Sequence, residues 1–162
     1  MSFYLTGLKP TNVIGEVFEN SIWWWHPLWN YIIDNCREFL SEEQIIGGQF
    51  NEFCKITETQ AKQISNRLEQ LIKIGHTKNY EIKHKQELID LGDICSSCNG
   101  GEGRCRFGMI RNGCLIPFFN SIKQNMGIKG NLAVPFCESP FSVENVKVFA
   151  LFCKHSGGFS IG

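Results

Sequence analysis

Trp23-Trp24-Trp25-His26-Pro27-Leu28-Trp29 holds all four tryptophans of the chain, and no other segment restricts the fold as tightly. Successive side chains turn by about 100° on a helix and alternate between faces on a strand, so three consecutive indoles cannot all enter one core. At least one must stay partly exposed or line a cavity. Two readings follow. In the first, two or three indoles anchor the core against helices from later in the chain. In the second, Trp23, Trp24, Trp25 and His26 form an aromatic wall for a flat ligand, because indoles stack on nucleobases at roughly 1–3 kcal/mol per base and attract cations over their faces. Tryptophan also dominates protein-interface hot spots, so a partner protein would suit the same side chains.

Around this cluster the periodicity alternates between extended and helical. Residues 1–19 read as extended structure and turns, punctuated by Gly7, Pro10 and Gly15. A first helix is expected to open near Pro27, since proline suits the first helical turn. Leu28, Trp29, Ile32, Ile33, Cys36, Phe39 and Leu40 then fall on one face, and Gly47-Gly48 is expected to end the region. Thr57 and Gln60 form a capping box for a second helix, with Ala61, Ile64 and Leu68 as its stripe and Gly75 beyond its end. A third helix is expected over 79–91, and a last one after Ser142, with Phe141 and Val146 as a hydrophobic staple. Between them, residues 93–140 are rich in Cys, Gly and Asn and suggest loops, turns and short strands. The expected fold is α+β: a single compact domain over 1–162, with about four helices, short strands and a Cys/Gly-rich irregular segment.

Within that segment Cys95, Cys98, Cys105 and Cys114 give the spacing C-x2-C-x6-C-x8-C. Two residues between cysteines let both thiolates reach one tetrahedral ion, and four thiolates close the coordination sphere, so a structural zinc is expected. Free thiols are the competing reading, and a redox pair is a weak third because no βαβ pattern surrounds the motif. Cys95 to Gly103 resembles the CxxCxGxG knuckles of DnaJ-type zinc domains. It departs from them at Glu102, where that family has glycine, and at Pro117, where a second knuckle would have cysteine. The resemblance marks 93–117 as a zinc-knuckle-like segment, with Cys105 substituting for the missing ligand. Cys36 and Cys153 lie on apolar faces and read as core thiols, Cys54 and Cys137 are open, and a Cys153–His155 dyad is poorly supported at a spacing of two.

Charge narrows the partners. With 16 basic and 16 acidic side chains the net charge is zero, which speaks against a general binder of duplex nucleic acid or membrane. The average conceals a gradient: acids dominate from Glu16 to Glu58, whereas 103–137 has none and carries Arg104, Arg106 and Arg111. These are either two solvated faces of opposite sign or, for the arginines, a surface toward an anionic ligand. No apolar run approaches a membrane span, and residues 1–10 lack the charged and apolar regions of a leader, so a cytoplasmic protein with reduced thiols is expected.

The segment Tyr4 to Asn12, the WWWHPLW run, Val143-Glu144-Asn145-Val146 and Ser156-Gly157-Gly158-Phe159 resemble a group of small uncharacterised bacterial and phage proteins, which implies a shared fold and no activity. Abundant Ile, Lys and Asn with scarce Ala point the same way, to a low-GC bacterium or its phage. No P-loop, G-x-G-x-x-G, G-x-S-x-G or H-E-x-x-H is present, so an unrecognised enzyme is the lesser alternative. The expectation is a non-catalytic binding protein, a zinc-stabilised protein-interaction module. Its rival is a phage anti-defence sponge that holds a nucleotide-derived signal between Trp23, Trp24, Trp25 and His26 on one side and Arg104, Arg106 and Arg111 on the other.

Overall fold

The computed structural model of the chain describes residues 2–90, 103–105, 108–110 and 140–162, with backbone alone for 87–90, 103–105 and 108–110. Alternation in β1 (Ser2–Gly7) buries Phe3 and Leu5 and leaves Tyr4 and Thr6 outside. A short 3-10 turn at Val13–Gly15 leads to β2 (Val17–Ser21), where Phe18 is buried and Val17 and Glu19 are exposed. With β3 (Cys54–Ile56) and β6 (Phe159–Ile161) they form an antiparallel sheet in the order β2-β1-β6-β3. Leu5 lies opposite both Phe18 and Ile161, and Ile56 opposite Phe159, so one face is apolar in register. The last strand of the chain is a central strand, so the sheet cannot close before the C-terminal residues arrive.

The helices are α1 (Ile22–Cys36), α2 (Glu42–Phe50), α3 (Glu58–Lys73), α4 (His76–Asp90) and α5 (Val143–His155). With the sheet they make the fold α+β. The capping boxes and caps behave as their chemistry requires: Thr57 with Gln60 opens α3, and Ser142 accepts from the Asn145 N–H at the start of α5. Gly75, at φ +80, follows the end of α3.

Three boundaries differ from the sequence expectation. First, α1 opens at Ile22 and carries Pro27 inside it. Proline removes the N–H that would bond the Trp23 carbonyl and costs about 3 kcal/mol in a helix interior. The burial of Trp25, Leu28, Trp29 and Ile32 on one face offsets that cost. At its other end α1 stops at Cys36, and Phe39 belongs to a 3-10 turn. Second, Gly47-Gly48 does not end a helix but sits inside α2, an element absent from the expected set and opened by a Ser41–Gln44 capping box. Third, α4 starts at His76, earlier than Asn79. Tyr31 secures that start: its buried hydroxyl lies 2.9 Å from His76 Nδ1 and 3.0 Å from Thr77 Oγ1.

The described residues fall into two compact units, 1–79 with 141–162 and 80–140, although no linker is visible in the sequence. In the first, α1 and α5 lie against the sheet, and α3 packs on α5 and α1. Phe18 packs edge-on against Phe149 with ring centres 5.2 Å apart, and Phe149 meets Phe159 in the same way at 5.9 Å. Ser65, buried on α3, donates to the Ala150 carbonyl at 2.8 Å, which holds α3 close to α5. In the second unit, the described part of α4 stacks Tyr80 on His84 at 5.9 Å. A separate antiparallel hairpin there pairs β4 (Gly103–Cys105) with β5 (Gly108–Ile110). Among the described residues no helix is long and apolar enough to cross a membrane.

The glycine pair in α2 makes a signed prediction. A Cβ on Gly48 would collide with the Trp29 indole, and one on Gly47 would stand 2.6 Å from Cys54 Sγ. On an open helix surface Gly→Ala gains roughly 0.5–1 kcal/mol. Here Gly48→Ala is expected to lose about 1–3 kcal/mol by overpacking. Urea unfolding of the two proteins checks this; a stabilised variant would mean that the α1–α2 contact is looser than described.

Candidate functional site

The tryptophan run separates by helical geometry. Trp25 and Trp29, four residues apart, share a face and are both 0 % exposed, whereas Trp23 and Trp24 are half-buried. Trp25 stacks on Trp29 at 5.2 Å and on Phe3 at 5.1 Å, and its Nε1 donates to the Gly48 carbonyl at 2.7 Å. Both faces and the polar edge of this indole are taken, which corrects its place in the aromatic wall: Trp25 is a core residue. His26 is half-buried, with its ring edge-on to Phe3 at 5.6 Å and Gln49 Nε2 3.4 Å from its Nδ1. Burial lowers its pKa below the usual imidazole value, so the neutral ring can accept from Gln49.

Trp24 projects about 100° away from Trp25 and lines a groove. Val17, Phe18, Glu19 and Asn20 of β2 form one wall, and the cap residue Ser142 with Glu144, Asn145 and Val148 of α5 forms the other. The groove holds about 460 Å³ and is open to solvent. Asn145 ties its walls together. Its Oδ1 accepts from Asn20 Nδ2 at 3.0 Å, its Nδ2 donates to the Trp24 carbonyl at 3.4 Å, and its N–H is the one that Ser142 caps. One side chain therefore links β2, α1 and α5. Two carboxylates, Glu19 and Glu144, stand in the lining, and among the described residues no lysine, arginine or histidine does. Lys147 lies 3.6 Å from Glu144 on the same helix.

The remaining candidate residues distribute as follows. Arg104 and Cys105 are in β4, described by backbone only. Arg106, Arg111, Cys95, Cys98 and Cys114 lie outside the described residues, as does Cys137. Among the described residues no group of three or more His, Cys, Asp or Glu is placed to hold a metal ion. Cys36, Cys54 and Cys153 are free, buried thiols. Burial pushes Cys36 up to about 12 and Cys54 up to about 11, and raises Cys153 well above the usual thiol value. His155 is no partner for Cys153, because its Nδ1 lies 3.0 Å from Thr11 Oγ1.

No protein-family model, curated protein or solved structure matches this chain. The groove thus stands on its own geometry. Val17, Phe18, Asn20 and Val148 were not among the residues the sequence marked. Val143-Glu144-Asn145-Val146 was the only signal near them, and nothing in it pairs Asn145 with a strand more than a hundred residues away.

The state of the thiols can be measured directly. The thiolate is the reactive form, and burial keeps these three protonated. Alkylation of the native protein at pH 8, followed by peptide mass mapping, is expected to leave Cys36, Cys54 and Cys153 unmodified, and denaturant to expose all three. Rapid modification of any of them in the native protein would contradict the burial described.

Proposed function

We propose that this chain is a non-catalytic protein-interaction module that receives a partner polypeptide in the groove beside Trp24. The groove itself carries the reading: an open depression of about 460 Å³ between a strand and a helix, walled by Val17, Phe18, Trp24 and Val148 with a polar margin. An apolar floor with an indole and a polar rim is the composition of a protein-binding surface. The polar groups of the lining favour binding over catalysis. Ser142 is engaged as the cap of α5, Asn20 and Asn145 bond to each other, and among the described lining residues no histidine stands by to activate a nucleophile. The carboxylates also make the lining a poor host for nucleotide phosphates.

We also propose that Cys95, Cys98, Cys105 and Cys114 hold one structural zinc. The support is their spacing and the low apolar content of the segment, which gives a metal the role that a core plays elsewhere. Elemental analysis of protein purified without chelator is expected to find about one zinc per chain, and Cys98→Ser to lose most of it. Full zinc retention by the variant would reassign the cysteines.

The module reading is tested by selecting binders from a displayed random-peptide library on the immobilised chain. Selected peptides are expected to shift the tryptophan emission of the native protein and to lose that shift in Trp24→Phe. In parallel, mono-, di- and cyclic nucleotides are expected to leave the emission unchanged. A nucleotide that quenches the emission, with no peptide selected, would replace this reading by capture of a nucleotide signal.

A further inference from the structure

In an antiparallel pair, alternate residues of a strand direct both N–H and C=O to the neighbour, and those between direct both away. Gly7 donates to the Glu16 carbonyl at 2.8 Å, and these two residues continue the β1–β2 register. Glu16 is therefore bonded to β1, and so by alternation are Phe18 and Asn20. Val17 and Glu19 turn their main-chain groups toward the free edge. The other side of β1 agrees with this phase: Leu8 donates to Gly158 at 2.8 Å and Gly162 to Tyr4 at 3.4 Å, so the even residues of β1 serve β6. Among the described residues, no main-chain hydrogen bond from outside the sheet reaches Val17 or Glu19.

The two edges of the sheet are treated differently. At β3 the same phase leaves Lys55 as the outward residue, and Gln44 Nε2 from α2 donates to its carbonyl at 2.7 Å. That edge is three residues long, carries a lysine and is covered, which are the usual guards against unwanted pairing. At β2 the edge is five residues long, with no lysine and no proline. The groove follows that edge. Its lining includes four consecutive residues, Val17 to Asn20, whose side chains alternate between the two faces of the sheet. A depression that meets both sets lies along the side of the strand.

We propose that β2 accepts an added strand: an extended segment of a partner protein, with basic side chains, that pairs with Val17 and Glu19 and lies between β2 and α5. The proposal deepens the module reading and rests on it. Strand addition supplies affinity through main-chain bonds and specificity through alternate side chains. Here the alternate side chains of the segment would meet Val17, Trp24 and Val148. Glu19, with no cation among the described residues of the lining, selects lysine or arginine in the partner, whereas Glu144 already shares Lys147. A second copy of this chain is a poorer occupant, because antiparallel pairing about the centre of β2 would set Glu19 against Glu19, and like charges directly opposite destabilise a pair.

The test uses the full chain and the peptides selected above. Proline is tolerated on an edge strand where its missing N–H faces outward, so Glu19→Pro is expected to keep the native circular dichroism and melting profile while weakening peptide binding at least tenfold. A peptide N-methylated at alternate residues tests the same bonds without altering the protein, and one of the two methylation phases is expected to weaken binding at least tenfold. Bound peptide is expected to slow amide exchange at Val17 and Glu19 at least tenfold and to leave Phe18 unchanged. Glu19→Lys is expected to weaken basic peptides at least fivefold at low salt. If selected peptides bind Glu19→Pro within twofold of the native protein and tolerate both methylation phases, they dock elsewhere; the strand-addition proposal falls while the module reading stands. A dimer of the native chain that Glu19→Pro dissociates would overturn it in favour of a second copy. Failure to select any peptide would remove the module reading itself.

Discussion

The contact between Trp25 and its neighbours holds the first unit together. An indole offers a large apolar body and one donor, and burying it leaves a penalty unless that donor is met. Phe3 of the first strand and Trp29 of the same helix cover its two faces, and the Gly48 carbonyl meets its N–H. β1, α1 and α2 are fixed to one another by that side chain. The close approach of α2 explains its two interior glycines, which a helix-propensity argument alone would reject. It also explains how α1 tolerates Pro27: the lost hydrogen bond is a local cost, and the buried face of the helix outweighs it.

Once Trp25 is committed to the core, the helical turn decides what its neighbour does. Trp24 is displaced toward β2 and α5 and becomes half-buried beside Asn20 and Asn145. Asn145 then matters for two reasons. Its amide closes the corner where strand, first helix and last helix meet, and among the described residues the rest of the β2 edge stays open between Glu19 and Val148. The core and the groove are two consequences of one register of indoles on α1.

The sheet shows how the same physics yields one closed and one open edge. β6 enters between β1 and β3 from the far end of the sequence, which satisfies the inner faces of both. α2, positioned by Trp25 and Trp29, brings Gln44 to the outer side of β3. No equivalent element reaches the outer side of β2 among the described residues. The gradient of acidic charge from Glu16 to Glu58 gains a local meaning here, because Glu19 belongs to that stretch and faces the open edge.

Local chemistry was legible in the sequence. The Thr57–Gln60 capping box, the Ser142 cap, the αL glycine at 75, the core thiols Cys36 and Cys153, and the need for one tryptophan of the run to leave the core all followed from short-range rules that act within a turn or two. Those rules failed where distant chain intervened. Gly47-Gly48 read as a stop because the sequence does not show that Trp29 and Cys54 need the space. Pro27 read as a start because the sequence does not show how much apolar surface α1 buries ahead of it. The groove was invisible for the same reason: Asn20 and Asn145 meet only after β6 and α5 have docked on β1 and β2. The sequence by itself determined where α3 and α5 begin and many of the side chains that prefer the interior, because caps, turns and periodicity are local. Tertiary structure alone decided which indole is buried, which sheet edge is covered and which stays open, because those outcomes depend on packing between residues far apart in the chain.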